Sequence, residues 1–335
     1  MKKVSIIIIC EDWNGYLKEA LLKYKNLDYD NFEVLVFTTK DILRKGETLM
    51  QHSKKFRFIH DLETKNKPAE KRDLVLKYGK GGIFAFIDDD AYPSKNWLKE
   101  AVSHFRKKDV SAVGGPGVTP NNASFLEKAS GWVSASPLGG FGTTHRFIPQ
   151  KRKEVDDYPS MNLLVRAEDF KKVGGFDSNF YPGEDTKLCL DLTKKLGKKI
   201  IYDPKALVYH HRRSLFKKHL IQNGRYGFHR GHFAKILPEN SRKWFYFIPS
   251  LFVLGLGGLV ILQILNMKNY IGLYVLLLYI ALLLINSLWV FVRSKDILVS
   301  ILTIPGVFLT HIWYGIQFIR GFFSKSTQDF YGRTD

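Results

Sequence analysis

The chain has 335 residues, and its 51 Lys and Arg against 32 Asp and Glu give a formal net charge of +19 at pH 7. Hydrophobic residues make up 45% of the sequence, which is enough for a folded core and excludes a chain that is disordered throughout. The two cysteines, Cys10 and Cys189, have no CxxC spacing, so neither a disulfide framework nor a structural zinc site is expected.

The N-terminus has the basic-then-apolar order of a signal peptide, because Lys2 and Lys3 precede an apolar run at 4–10. The run is short and no small-residue cleavage site follows it. We therefore interpret it as a buried first strand of a part of the chain that stays in the cytoplasm.

Apolar runs typical of buried strands alternate with helical patterns up to residue 205. Strands are predicted at 4–9, 32–37, 56–59, 83–87 and 112–114, and helices at 16–24, 69–78 and 97–105. Such alternation predicts a mostly parallel α/β sheet. Ligands of open α/β sheets bind beyond the carboxyl ends of the strands, so functional side chains are expected just after each strand.

The predicted strand at 83–87 runs directly into Asp88, Asp89 and Asp90. In extended geometry Asp88 and Asp90 point to one side and Asp89 to the other. Two carboxylates on one side of a strand end suit a hard divalent cation that also binds phosphate oxygens. A solvated acidic turn is the alternative, but an exposed turn does not need five apolar residues leading into it.

Two further pairs of polar residues are candidates. Glu184 and Asp185 open a predicted amphipathic helix at 185–196, where acidic residues ordinarily complement the helix macrodipole. His210 and His211 follow a strand-like run at 206–209, where a histidine is usually structural. Taken alone, neither pair indicates a function.

Together, these motifs in this order resemble family-2 glycosyltransferases of the GT-A fold over roughly residues 4–230. The matching segments are 4–9, 68–73, 88–90 with Pro93 and 97–98, 159–162, 174–177 and 182–185. The resemblance implies a GT-A domain, which is a mostly parallel twisted sheet that binds a nucleotide diphosphate sugar.

The resemblance also implies the donor site. Asp88 and Asp89 would contact the nucleotide sugar, Asp88 and Asp90 would bind Mn²⁺ or Mg²⁺, and Arg72 would lie near the nucleotide pocket. His210, with His211 as second choice, would be a further metal ligand, and a neutral imidazole suits Mn²⁺ better than Mg²⁺.

One departure concerns the nucleobase. The second strand commonly ends in an Asp pair in this family, whereas here it ends in Thr38 and Thr39. Glu11, Asp12 or Asp41 could compensate, so the sequence does not identify the base.

For catalysis the resemblance implies that Asp185 is the general base, which removes a proton from an acceptor hydroxyl as that hydroxyl attacks the anomeric carbon. Glu184 would orient the acceptor or support the base. A single carboxylate base on the face opposite the leaving group implies one direct displacement, and therefore inversion at the anomeric carbon.

The stretch at 205–243 carries ten Lys and Arg against Glu239 alone, with aromatic residues interleaved. This composition predicts a basic amphipathic helix on an anionic membrane face. A basic-aromatic stretch can also bind nucleic acid, but this one adjoins an apolar run, so lipid is the predicted partner and nucleic acid is not. Within it, 222–226 resembles the QxxRW motif of membrane-bound family-2 synthases, with Tyr226 in place of the Trp, and is written QxxRY here. The resemblance implies that Arg225 contacts the diphosphate and that Gln222 and Tyr226 line the acceptor site.

The C-terminal part predicts a membrane module. The segments 244–265 and 270–292 contain no charge and are long enough to cross roughly 30 Å of hydrocarbon. A third segment, 297–319, contains Pro305 and Gly306 and is predicted to be a further span, with a re-entrant segment as the alternative. Arg293 and Lys295, together with the basic stretch before the first span, predict a multi-pass protein of the cell membrane with its catalytic domain in the cytoplasm.

The predicted domains are therefore 1–210 for the GT-A domain, 211–243 for the interface segment, 244–323 for the transmembrane module and 324–335 for a tail. The segment 125–149 is predicted to be a loop near the acceptor. The predicted function is an inverting, metal-dependent transfer of a sugar to a lipid-linked saccharide in glycan or cell-envelope assembly. Transfer to polyprenyl phosphate and an inactive membrane scaffold are the alternatives.

Overall fold

The computed structural model describes residues 2–64, 67–180, 182–265 and 270–326. The chain forms two compact units. The first comprises Met1–Val118 and Ile148–His211, and the second comprises Thr119–Phe147 and Arg212–Asp335. The sequence assigned 119–147 to the first domain, whereas this segment belongs to the C-terminal unit.

The strands of the described residues lie in the first unit. They are β1 (Val4–Cys10), β2 (Phe32–Thr38), β3 (Phe56–His60), β4 (Ile83–Asp88), β5 (Ala91–Pro93), β6 (Val110–Gly114), β7 (Gly117–Val118), β8 (Lys153–Val155), β9 (Asn162–Arg166), β10 (Lys199–Tyr202) and β11 (Val208–His210). Within the described residues the larger sheet has the order β3-β2-β1-β4-β9-β6-β10-β8, and a smaller sheet has the order β5-β11-β7. Strands β1 to β4 pair in parallel, while β9 is antiparallel to β4 and β6. The prediction of a mostly parallel sheet is confirmed.

The α-helices follow in chain order. They are α1 (Gly15–Tyr24), α2 (Leu43–Leu49), α3 (Pro68–Asp73), α4 (Val75–Tyr78), α5 (Trp97–His104), α6 (Phe125–Ala135), α7 (Pro137–Gly140), α8 (Ala167–Val173), α9 (Glu184–Leu190), α10 (Lys217–Ile236), α11 (Pro238–Ser241), α12 (Ile248–Ile264), α13 (Tyr270–Ser294) and α14 (Ile297–Phe323). The helix predicted at 69–78 is divided into α3 and α4, and α9 continues as a π-helical turn at Asp191–Lys195.

The prediction of a loop at 125–149 is wrong. The segment contains α6, α7 and a 3₁₀ turn at Phe141–Arg146. Ser124 and Glu127 form a capping box, in which each side chain accepts a hydrogen bond from the backbone N–H of the other residue. This S-x-x-E pattern is a helix-start signal that outweighs the glycine and serine content of the segment.

The sheet of the first unit is buried on both faces. Successive side chains of a strand point to opposite faces. In β1, Ile6 and Ile8 therefore join one apolar cluster and Ile7 joins the other, and in β4 the pair Ala85 and Phe86 divides in the same way. Each large side chain that is fully buried contributes about 1.5–3 kcal/mol. This explains why the strand sequences are continuous apolar runs rather than alternating ones.

Asn162 fixes the segments that lead to the smaller sheet. Its side chain is fully buried, and its Nδ2 donates to the carbonyl oxygens of Gly115 at 2.7 Å and Ala206 at 2.8 Å. Its Oδ1 accepts a hydrogen bond from Trp97 Nε1 at 2.8 Å. The asparagine therefore holds the approaches to β7 and β11, and β11 carries a histidine of the candidate site.

Among the described residues, the second unit contains helices and no strands. Ala129 and Val133 of α6 form an apolar cluster with Leu215, Val299 and Val307. This packing explains why 119–147 belongs to this unit despite its position in the sequence.

Two described helices are long and apolar enough to cross a membrane, α13 with 25 residues and α14 with 27. The first predicted span forms α12, which is apolar but has only 17 residues and follows a 3₁₀ turn at Trp244–Tyr246. The third predicted segment is helical across Pro305. The predicted link at 266–269 and the tail from residue 327 lie outside the described residues.

Helices α10 and α14 pack backbone against backbone through glycines. A Cβ placed on Gly231 would lie 2.1 Å from the carbonyl oxygen of Phe318, and one on Gly321 would lie 1.9 Å from the carbonyl oxygen of Phe228. Small residues at such positions allow two helices to approach closely.

We expect Gly231→Ala to lower the free energy of unfolding by about 1–3 kcal/mol, because the added methyl group meets a backbone atom rather than a movable side chain. Gly255→Ala in α12 is the matched control, since nothing lies within 4 Å of that position. Thermal unfolding in detergent measures both variants. Equal midpoints for the two would contradict close packing at Gly231.

Candidate active site

The carboxyl end of β4 brings a possible metal site together. One ligand atom each from Asp88, Asp90 and His210 lies within 4.8 Å of the other two. His210 comes from β11, which pairs antiparallel with β5 so that His210 stands opposite Ala91, the residue after Asp90. His210 Nε2 lies 3.1 Å from Asp90 Oδ1. Two carboxylates and one imidazole fit a divalent cation of the first transition row.

His211 is directed away from this group. Its Nε2 lies 3.0 Å from Glu19 Oε2, and its ring centroid lies 4.4 Å from that of Tyr16. Because adjacent residues at a strand end point to opposite sides, only one of the two histidines can face the carboxylates. Of the two predicted ligands, the structure brings His210 into the group and leaves His211 outside it.

Asp89 points away from Asp88 and Asp90, as the alternation predicts. Its Oδ2 accepts a hydrogen bond from Asn14 Nδ2 at 2.8 Å, and Asn14 Oδ1 caps α1 by accepting from the backbone N–H of Leu17 at 2.8 Å. Asp89 is thereby connected to the start of α1.

Arg72 of α3 connects two carboxylates. Its guanidinium lies 2.7 Å from Glu184 Oε1 and 3.4 Å from Asp88 Oδ1, and only 11% of the side chain is exposed. The guanidinium also lies over the ring of Phe176, at 5.8 Å from the centroid. The guanidinium of Arg72 thus joins the carboxyl end of β4 to the first turn of α9.

Asp185 follows Glu184 in α9, and both of its carboxylate oxygens are held by backbone N–H groups. Oδ1 accepts from Thr186 at 2.8 Å and Oδ2 accepts from Ser160 at 3.3 Å. Burial is the main cause that raises the pKa of Asp185 to about 7; the charges of Glu184 and Asp157 add to it, while Arg72 and the Ser160 hydrogen bond oppose it. A carboxyl group with such a pKa can take up a proton near neutral pH.

The residues predicted to read the nucleobase are found around the ends of β1 and β2. Glu11 is exposed, and Asp12 Oδ2 accepts a hydrogen bond from Lys40 Nζ at 3.0 Å, which is the main cause that lowers the pKa of Asp12. Asp41 accepts from the backbone N–H of Leu43 at 3.0 Å, next to the start of α2.

Two buried residues that the sequence reasoning missed lie beside the predicted ones. Lys71 donates a hydrogen bond to Thr39 Oγ1, and burial lowers the pKa of its ammonium group. Asp157 accepts from Thr186 Oγ1 at 3.1 Å. The available signals were the position of Lys71 directly before Arg72 and that of Asp157 two residues before the 159–162 motif.

The QxxRY residues Gln222, Arg225 and Tyr226 belong to the second unit, on α10, and the last two are exposed. The buried side of α10 consists largely of glycine, histidine and phenylalanine, including Gly224, Gly227, Phe228, His229, Gly231, His232 and Phe233. The roles of the QxxRY residues stay predictions.

The fold of the first unit is of the GT-A type. The family model described as glycosyl transferase family group 2 matches residues 83–292. The chain belongs to this family.

Two curated relatives match part of the chain. The pre-mycofactocin glycosyltransferase of Mycobacterium tuberculosis is 27% identical over 168 residues, which cover 48% of this chain and 33% of that protein. The glucosyl-dolichyl phosphate glucuronosyltransferase of Haloferax volcanii is 26% identical over 150 residues, covering 42% of this chain and 46% of that one. The chain thus matches less than half the length of either relative.

Two solved structures share the fold. The mannosyltransferase of Pyrobaculum calidifontis, in complex with GDP-Man and Mn²⁺, has a TM-score of 0.65 and 16% identity, and the match covers 97% of this chain and 88% of that one. GalNAc-T7, solved with UDP, GalNAc and Mn²⁺, has a TM-score of 0.50 and 13% identity, and the match covers 72% of this chain and 51% of that one.

We expect purified protein to bind Mn²⁺ in the absence of donor, and His210→Ala and Asp90→Asn each to weaken that binding at least tenfold by removing a ligand. His211→Ala is the matched control, because its imidazole lies against Glu19 and should leave the affinity unchanged. Electron paramagnetic resonance of free Mn²⁺ measures the binding. Equal weakening by both histidine substitutions would contradict the assignment of His210.

Proposed function

We propose that the chain is an inverting, metal-dependent glycosyltransferase. It moves one sugar from a nucleotide diphosphate sugar to a hydroxyl group of a lipid-linked saccharide held at the membrane. The acceptor is an intermediate of glycan or cell-envelope assembly.

The observation that carries the proposal is the setting of Asp185. Two backbone N–H groups fix its carboxylate, and its pKa of about 7 matches what a general base needs near neutral pH. Arg72 links the neighbouring Glu184 to Asp88, so the base and the metal-binding carboxylates belong to one connected group. A base of this kind is needed for a hydroxyl acceptor and not for an acceptor that is already ionised.

Each of these residues has its own role in the proposed reaction. Asp88, Asp90 and His210 would hold the divalent cation, for which Mn²⁺ is the proposed ion and which would supply positive charge near the leaving diphosphate. Asp185 takes the proton of the acceptor hydroxyl. The bond from the acceptor oxygen to the anomeric carbon forms on one face as the bond to the diphosphate oxygen breaks on the other, which inverts the configuration. Glu184, held by Arg72, orients the acceptor.

A membrane-held acceptor is supported by several features. Helices α13 and α14 are long and apolar enough to span a bilayer, and basic residues flank them. The Haloferax volcanii relative is a glucosyl-dolichyl phosphate glucuronosyltransferase. We propose that the chain crosses the cell membrane more than once with its catalytic part in the cytoplasm.

Turnover of UDP-, GDP- and dTDP-sugars by the full chain in detergent, with Mn²⁺ and a crude lipid extract, tests the proposal. We expect nucleoside diphosphate release that Asp90→Ala and Asp185→Asn both reduce at least a hundredfold. If only Asp90→Ala lowers the release, the proposal of a hydroxyl acceptor is wrong and polyprenyl phosphate is the acceptor. If the protein neither releases nucleoside diphosphate nor binds any donor, it is an inactive scaffold.

The pH dependence gives a second test. The base must be ionised, so the rate at saturating donor should rise with pH and level off above about 7, and it should fall about tenfold per unit below that value. Any residual activity of Asp185→Asn should lack this acid limb. A wild-type rate that is flat between pH 5 and 8 would contradict the role of Asp185.

A further inference from the structure

Thr186 connects two carboxylates of the first unit. Its backbone N–H donates to Asp185 Oδ1 at 2.8 Å, and its hydroxyl donates to Asp157 Oδ1 at 3.1 Å. Asp157 is 4% exposed and Thr186 is 3% exposed, so the hydroxyl contact is shielded from water. One residue therefore links the base to a second acidic group that the proposed reaction has not used.

The segment that carries Asp157 also holds the other oxygen of the base. Ser160, three residues further along, donates its backbone N–H to Asp185 Oδ2 at 3.3 Å. Segment 157–160 thus binds one oxygen of Asp185 directly, and through Asp157 it binds the hydroxyl of Thr186, whose backbone N–H donates to the other oxygen. The position of Asp185 therefore depends on this segment.

The charges around Asp185 come from three side chains. Glu184 and Asp157 are acidic, and Arg72 is basic, but Arg72 also pairs with Glu184 and Asp88. Like charges close to a carboxylate favour its protonated form. Asp157 therefore acts on the base by its charge as well as by the hydrogen bond through Thr186.

We propose that Asp157 is a positioning residue for Asp185, which holds the base through Thr186 and places a second negative charge beside it. The inference rests on the proposed role of Asp185 as the general base. It assigns a function in the transfer reaction to a buried carboxylate that the proposed mechanism does not otherwise use.

The substitution Asp157→Asn tests the charge. Asparagine keeps an oxygen that can accept from Thr186 but carries no charge. Removing the charge stabilises ionised Asp185, so the acid limb of the pH–rate profile should move to lower pH by about half a unit to one unit. Because a weaker base transfers the proton less readily, the rate above pH 8 should fall about two- to tenfold.

Thr186→Val and Thr186→Ser test the connection. Valine keeps the volume and the backbone N–H but removes the hydroxyl, whereas serine restores the hydroxyl. We expect the valine variant to lose about three- to thirtyfold in kcat at similar KM for the donor, and the serine variant to recover most of it. Equal kcat values for Thr186→Val and Thr186→Ser would overturn the proposal. This comparison remains a test of the proposal if Asp157→Asn does not fold.

Glu154→Gln is the matched control for charge, because Glu154 is an exposed acidic residue of β8 in the same stretch of chain. Its acid limb should coincide with that of the wild type. The role of Asp157 alone would be overturned if the wild type shows the acid limb of the pH–rate profile, Asp185→Asn lacks it and Asp157→Asn leaves its position unchanged. A wild type without a limb, together with active Asp185→Asn, would overturn the proposed base instead.

Discussion

The ion pairs of Arg72 are the interaction on which the geometry of the first unit's site depends. Carboxylates repel one another when they are gathered away from water, and Glu184 and Asp88 come from elements that are 96 residues apart in the sequence. A guanidinium is permanently charged and planar, so it can bind one carboxylate on each of two nitrogens, which it does here at 2.7 and 3.4 Å. The pairing with α9 is mostly buried, and it places the residue after Glu184, Asp185, at a defined position relative to the end of β4.

Local sequence patterns predicted the strands and the directions of the side chains at their ends. The apolar runs predicted the strands, and two-residue alternation predicted that Asp89 would leave the side shared by Asp88 and Asp90. The same rule explains why His210 and His211 separate, although both were proposed as ligands. The choice between them depends on how β11 pairs with β5, a contact between residues more than a hundred positions apart that no local pattern contains.

Other features depend on partners that are distant in the sequence. The buried Asp157 contacts Thr186, which is 29 residues away in the sequence. The helical state of 125–135 depends on a capping box that the glycine content concealed, and the membership of 119–147 in the second unit depends on packing against α14. Tertiary burial decides such cases, because single-residue preferences there are worth only tenths of a kcal/mol.

The position of α6 in the chain has a consequence for biosynthesis. Its buried face, with Ala129 and Val133, packs against residues of α14 that follow it by more than 160 positions. At synthesis rates of about 5–20 residues per second, this face waits roughly ten to thirty seconds for its partner while the rest of the catalytic sheet is still being made. A shortened chain that ends before the apolar helices never supplies that partner. Removing those helices to obtain a soluble enzyme would therefore leave α6 with an uncovered apolar face, and the shortened protein would tend to aggregate through it.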